Sequence, residues 1–193
     1  MDEKKVAVLL AEGFEAGEAI TIIDILRRAG IACDGLGLYE LIVNGGHGIT
    51  VKADKVFELS LLEYDLIVIP GGLPGATNLR DDDRLIEALK YAEKAGKTIA
   101  AICAGPIVLE CAGLLKNHRF TAYPGYENKI GKEGSFKENL VVIDRNIITS
   151  RGPATAYAFA YALVDHLGYD AKAVQERMLY DAAFPNRVDL NHA

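Results

Sequence analysis

The sequence predicts an α/β sheet covered by helices on both faces. Three observations carry that. Residues 5–11, 66–69 and 98–102 are apolar runs of strand length without polar alternation, as in parallel strands buried on both sides. Helix-period segments lie between such runs. Glycine, proline or an abrupt polar residue follows each run, as at the carboxyl ends of strands in open α/β sheets, where ligands bind.

In chain order, Lys5–Ala11 reads as a strand. Ile20, Ile22, Ile23 and Leu26 fall at helical spacing up to Arg27-Arg28-Ala29-Gly30, where two cations and a glycine mark a helix end. Ile31–Leu36 is a second strand. Short β-rich runs flank Asn44-Gly45 within Leu41–Val51, which predicts a hairpin, placed on the edge of the sheet. Leu66–Ile69 ends in Pro70-Gly71-Gly72, and Arg84–Ala95 carries Leu85, Ile86, Leu89 and Ala92 at helical period. Thr98–Ile102 is a strand running into Cys103 and a new helix. Phe120–Tyr123, Leu140–Ile143 and Ile147–Thr149 read as strands, the last two closed around Asp144-Arg145-Asn146. Beyond the break at Arg151-Gly152-Pro153, Phe159, Leu163, Val164 and Leu167 form the buried stripe of a helix over Ala154–Leu167, and Ala171–Leu179 supports another. From Ala182 onward periodicity is lost, and a loosely held tail is expected.

At 193 residues the chain fits a single domain, 1–193. It has no long uninterrupted apolar segment and no basic, apolar leader, so neither a membrane partner nor secretion is expected, and the cytoplasm is the default location. The net charge of −6 with no basic stripe argues against a nucleic-acid partner. Cys33, Cys103 and Cys111 form no metal-type or disulfide-type spacing and are expected to be reduced.

Cys103 stands where the strand turns into a helix, between small residues Ala101 and Gly105, with Pro106 suited to the first helical turn. This is the cysteine analogue of the nucleophile elbow. A thiol at a helix N-terminus feels the positive end of the dipole, so a thiolate near neutral pH is expected. The alternative is a small buried hydrophobe. No Cys–His pairing is signalled: His118, His166 and His192 read as solvated surface, and His47 lies in the hairpin turn. Glu12, Glu15 and Glu18 crowd the loop after the first strand. One or two would serve simply as an acidic helix start. A carboxyl pressed against a thiolate would instead keep its proton, donate to sulfur and act as acid and base.

Four blocks, Leu10-Ala11-Glu12-Gly13-Phe14-Glu15, Ile69-Pro70-Gly71-Gly72, Ala100-Ala101-Ile102-Cys103-Ala104-Gly105-Pro106 and Thr149-Ser150-Arg151-Gly152-Pro153, resemble the ThiJ/PfpI superfamily in its DJ-one branch. The resemblance implies a flavodoxin-like (class I glutamine amidotransferase-like) three-layer sandwich, usually a homodimer whose interface includes the first helix. It implies Cys103 as the reactive cysteine and Glu18 as the protonated carboxyl that hydrogen-bonds it. The amides of Gly72 and Ala104 would form an oxyanion site, Glu15 an accessory carboxyl, and Gly71, Tyr123 and His47 the rest of the pocket. Tyr123 stands where some members have a histidine, and His47 where arginine is common near the dimer mate's pocket. Gly17 replaces a bulky apolar residue, and Ala104 the histidine of peptidase-like relatives, which disfavours peptidase activity. The implied activity is a glyoxalase, also described as a deglycase, turning small 2-oxoaldehydes into 2-hydroxy acids without cofactor or metal. A redox sensor or chaperone acting through Cys103 oxidation is the alternative from another class. An amidase-like hydrolase is a third, and it would need a base near Cys103.

Overall fold

The computed structural model describes residues 3–131 and 133–183. In chain order the elements are β1 (Lys5–Leu10), α1 (Ala16–Arg28), β2 (Ala32–Gly37), β3 (Ile42–Asn44), β4 (Thr50–Lys52), β5 (Lys55–Val56), β6 (Leu66–Ile69), α2 (Gly75–Arg80), α3 (Asp83–Lys94), β7 (Thr98–Ile102), α4 (Pro106–Cys111), β8 (Arg119–Phe120), β9 (Ser135–Phe136), β10 (Val141–Asp144), β11 (Ile147–Ser150), α5 (Ala156–His166), α6 (Ala171–Arg177) and α7 (Tyr180–Ala183).

A seven-stranded sheet runs β10-β11-β7-β6-β1-β2-β5. All its pairings are parallel except β10 with β11. Its central order, β2-β1-β6-β7-β11, is that of flavodoxin-like sheets. The unbroken apolar runs follow from the layers. Val6, Val8 and Leu10 of β1, with Val68, Ala100, Ile102 and Ile148, pack with α1, α5 and α6. Ala7, Leu9, Ile67, Ile69, Ile99 and Ala101 point the other way and pack with α2, α3 and α4. Each strand is therefore buried on both faces, and period-two alternation vanishes. Among the described residues no helix is long and apolar enough to cross a membrane.

The order in which strands are added reverses at β1, since β2 lies on one side of it and β6 on the other. The loops after β1 and β6 meet at this switch point, and the loop after β7 joins them from the neighbouring strand.

The hairpin departs from the expectation. β3 and β4 form their own two-stranded antiparallel sheet, and the outer edge beside β2 is taken by β5. The reason lies in the backbone hydrogen bonds. Asp54 N–H donates to Gly35 O (2.9 Å) and Phe57 N–H to Gly37 O (2.8 Å), so that edge is filled. The hairpin bonds to the loop after β1 instead, through Gly13 N–H to Asn44 O (2.7 Å) and Gly46 N–H to Phe14 O (2.9 Å).

The expected strand over residues 120–123 shrinks to β8, which pairs with β9 outside the main sheet. Past Phe120 the Thr121 N–H donates to the Thr149 hydroxyl (2.8 Å) rather than to a ladder carbonyl. The short α2 was not legible from periodicity. The tail expected from Ala182 lies mostly outside the described residues, as does His192.

Candidate active site

The elbow is a strained corner. Cys103 has φ 64°, the left-handed region that a β-carbon disfavours. Its neighbours hold it there: its N–H donates to Ser150 O (3.1 Å) on β11, and its carbonyl accepts from Tyr123 N–H (2.9 Å). The thiol is thereby turned out of the β7 ladder, half-buried, beneath the loop after β6.

That loop is glycine because nothing larger fits. A β-carbon on Gly71 would lie 2.6 Å from Cys103 Cβ and 2.9 Å from Glu18 Oε2. One on Gly72, at φ 88°, would lie 2.3 Å from the Glu15 amide nitrogen. The pair lets three segments converge, and the N–H groups of Gly72 and Ala104 both face the Cys103 sulfur.

Glu18 comes from the first turn of α1. Glu15 N–H donates to Gly71 O (2.9 Å), anchoring the helix start to the glycine loop. Glu18 is fully buried at 0% exposure, and its Oε2 accepts the Gly71 N–H at 2.7 Å. Its Oε1 is buried without a hydrogen-bond partner, beside the Cys103 thiol. Gly17, exposed on the outer face of the helix, leaves this placement intact.

The electrostatics correct the expectation of a thiol acidified by a helix. Burial pushes the Glu18 carboxyl up to about 7, against the opposing effects of the Gly71 N–H and the thiol. Burial also raises Cys103, and a charged Glu18 raises it further. The amides of Ala104 and Gly72 pull the other way. Helix α4 is only six residues long and begins at Pro106, too short and too distant in sequence to outweigh desolvation. Two negative charges side by side repel in a site shielded from water, so the pair carries at most one between them. One proton shared between Oε1 and the sulfur gives a partner to the one carboxyl oxygen that otherwise has none.

The other expected pocket residues lie on the loops around this corner. Glu15 is largely buried, and its Oε2 lies 3.5 Å from Nε2 of His47, an exposed residue of the β3–β4 turn. Tyr123 lies against Gly152, with ring carbons 3.3 and 3.6 Å from where a β-carbon would sit. Its ring meets Tyr126 edge-on at 6.4 Å. Tyr126 escaped the sequence reading, because it sits in a single 3-10 turn at 126–128 with no periodicity to flag it. Burial, and then Cys103, raises the pKa of its phenol.

The remaining described histidines are not the solvated surface groups expected. His118 is buried, its Nδ1 3.2 Å from Asp144 O. His166 is half-buried, with Nε2 3.0 Å from the Thr98 hydroxyl, and burial lowers its pKa. Burial pushes the Cys33 thiol up to about 12, while Cys111 is exposed.

Comparison with known proteins agrees with this architecture. The model of the DJ-1/PfpI family matches residues 4–166. A Parkinson disease protein 7 homolog of Danio rerio is 37% identical over 172 residues, covering 86% of this chain and 91% of that protein. Protein DJ-1 homolog B of Arabidopsis thaliana is 38% identical over 175 residues, 89% of this chain. The chain spans only 40% of that protein's length. A Pyrococcus abyssi protein named as a deglycase is 33% identical over 157 residues, 80% of this chain and 94% of that one. Among solved structures, oxidized DJ-1 of Toxoplasma gondii superposes with a TM-score of 0.84 at 39% identity, covering 91% of this chain and 98% of that chain.

Proposed function

The chain belongs to the DJ-1/PfpI family, and from that premise and the geometry above we propose that it is a cofactor-independent glyoxalase acting on small 2-oxoaldehydes. The supporting observation is the buried Glu18 carboxyl, with Oε1 unpartnered beside a thiol that faces two backbone N–H groups. The deglycase name of the Pyrococcus abyssi relative is consistent with this substrate class, since consuming free 2-oxoaldehyde reverses early adducts on proteins.

In the proposed sequence, the thiol proton passes to Glu18 and Cys103 Sγ adds to the aldehyde carbon of methylglyoxal. The N–H groups of Gly72 and Ala104 hold the developing alkoxide, which takes the proton back from Glu18. Glu18, now a carboxylate, removes the hydrogen of that carbon as a proton and delivers it to the former ketone carbon. The hydroxyl proton of the first carbon moves to the second oxygen. One carbon is thus oxidised to a thioester and its neighbour reduced to an alcohol, with no external redox partner. Water cleaves the thioester, releasing lactate and the thiol. Glu15 and His47, with Gly71 and Tyr123, line the approach.

The test is lactate formation from methylglyoxal without glutathione. Wild type is expected to turn over, and Cys103→Ala and Glu18→Gln are expected to be inactive. Wild-type turnover no faster than a free thiol would sink the proposal.

One observation favours a second reading, that Cys103 is a peroxide sensor: the similar Toxoplasma gondii structure is of an oxidized protein. Here two equivalents of peroxide convert the thiol to sulfinate with release of two waters. The Glu18 proton and the two amides would bind the new oxygens. Intact-mass analysis after peroxide distinguishes it: a gain of two oxygens on Cys103, suppressed in Glu18→Gln, supports the sensor. Over-oxidation to the sulfonic acid in both proteins refutes it.

We also propose a homodimer through α1 and the hairpin, because Ile20, Leu41, Ile42 and Ile49 are exposed there. Light scattering of wild type and Ile20→Glu checks it, a monomeric wild type being the contrary result.

A further inference from the structure

A second cavity, of about 260 Å³, opens between α2 and α4, lined by Leu73, Thr77, Ile107, Cys111 and Tyr126 among others. Three of these also belong to the surroundings of the thiol. Leu73 follows Gly72, whose N–H faces the sulfur; Ile107 N–H donates to Ala104 O (3.1 Å) in the elbow; and Tyr126 N–H donates to Tyr123 O (3.0 Å), whose own N–H donates to Cys103 O (2.9 Å). The cavity therefore adjoins the candidate active site.

The charges around it balance, two cations against two carboxylates. Arg80 is paired with Asp81 at 2.7 and 3.0 Å, Glu110 accepts the Gly131 N–H at 2.8 Å, and Lys129 lies over the Tyr126 ring at 4.4 Å. Neither sign is left in excess to recognise an ionic ligand. Leucine, isoleucine, tyrosine, threonine and cysteine side chains face the rest of the space, which suits an uncharged, mainly apolar group. An apolar cavity of about 150 Å³ already accepts benzene, so the volume admits a phenyl ring.

We propose that this cavity is the subsite for the substituent on the ketone carbon of the 2-oxoaldehyde, and that it selects apolar, aromatic-sized groups over methyl. The inference rests on the oxoaldehyde reading above for its substrate but not for its geometry. On this proposal an aldehyde held at Cys103 directs its substituent past Leu73 and Tyr126, between α2 and α4.

The experiment compares wild type with Cys111→Trp, which fills the cavity from an exposed position on α4, and with Thr77→Trp, which fills it from α2. The second variant serves if the first fails to fold by circular dichroism. Two readouts are taken. The first is kcat/KM for phenylglyoxal and methylglyoxal. The second is the rate at which 2-bromoacetophenone and bromoacetone alkylate Cys103, followed on its own peptide by mass spectrometry and normalised to glutathione. In that step Sγ forms the bond to carbon and bromide leaves. Burying a ring in place of a methyl predicts a preference of about tenfold or more for the aryl compound in both readouts. In the filled variants that preference falls to about one, with the methyl compound changed less than about twofold.

An aryl preference that survives filling overturns the subsite, as does its absence in wild type or a parallel loss for both sizes. If neither oxoaldehyde is turned over, the glyoxalase proposal fails on its own, and the alkylation ratio still decides whether the cavity receives the substituent.

Discussion

Glu18→Gln is expected to stabilise the fold as it abolishes turnover, and the size of that gain is expected to depend on pH. The carboxyl is fully buried, and burial raises its pKa from 4.5 to about 7. Its folded value lies above its unfolded value, so the folded state keeps a proton that the unfolded chain releases. Below about pH 4.5 both states are protonated and the group is neutral to folding. As pH rises from there to about 7 stability falls, and beyond that it levels off, at a total cost of about 3 kcal/mol. Glutamine removes the titration while keeping an oxygen for the Gly71 N–H, which Glu18 accepts at 2.7 Å. Any packing penalty of the amide is independent of pH. The wild-type-minus-variant difference therefore isolates the carboxyl. Urea unfolding of both proteins at pH 5 and pH 8 should show the variant gaining about 2 kcal/mol on wild type across that interval. A difference that stays flat with pH would refute the reasoning, because it would mean that the buried carboxyl does not hold its proton.

Other perturbations follow from the same contacts. Gly71→Ala drives a methyl into Cys103 Cβ and Glu18 Oε2, at 2.6 and 2.9 Å. Overpacking should cost about 1–3 kcal/mol in thermal unfolding, and displacing the thiol from the carboxyl should lower kcat/KM by about a hundredfold. Thr149→Val removes the oxygen that accepts the Thr121 N–H at 2.8 Å in a fully buried setting. With that donor orphaned, urea denaturation should register a loss of about 1–3 kcal/mol. Asp82→Ala deletes the N-cap of α3, which accepts from Arg84 and Leu85 N–H at 3.0 and 3.1 Å, and should cost about 1–2 kcal/mol. The Arg84 side chain, followed by the Leu85 N–H, lowers the Asp82 pKa. The penalty should therefore be full above the unfolded pKa and shrink as acid protonates the wild-type carboxylate, which unfolding at pH 7 and pH 3 will compare.

The chain by itself determined the layered sheet and the corner at Cys103. Runs such as Val6–Leu10 and Ile99–Ile102, apolar at every position, have no stable place except between two helical layers. Ala101, Gly105 and Pro106 leave Cys103 little choice but a sharp turn. Such signals are local, written in neighbouring side chains. The hairpin was legible as a hairpin, but its location was not. Whether Ile42–Asn44 or Lys55–Val56 fills the edge beside β2 depends on competing backbone hydrogen bonds from segments far apart in sequence.

The ionisation of Cys103 was likewise a tertiary decision. Local sequence suggests a helix dipole, but the sulfur's state depends on how far water is excluded and on a carboxyl from α1 that reaches it through the gap left by Gly71. Tyr126 and the cavity between α2 and α4 carry no periodic signal, because they arise where two short helices and the turn at 126–128 meet. Secondary structure follows from neighbours along the chain, whereas desolvation and charge coupling depend on which residues folding brings together.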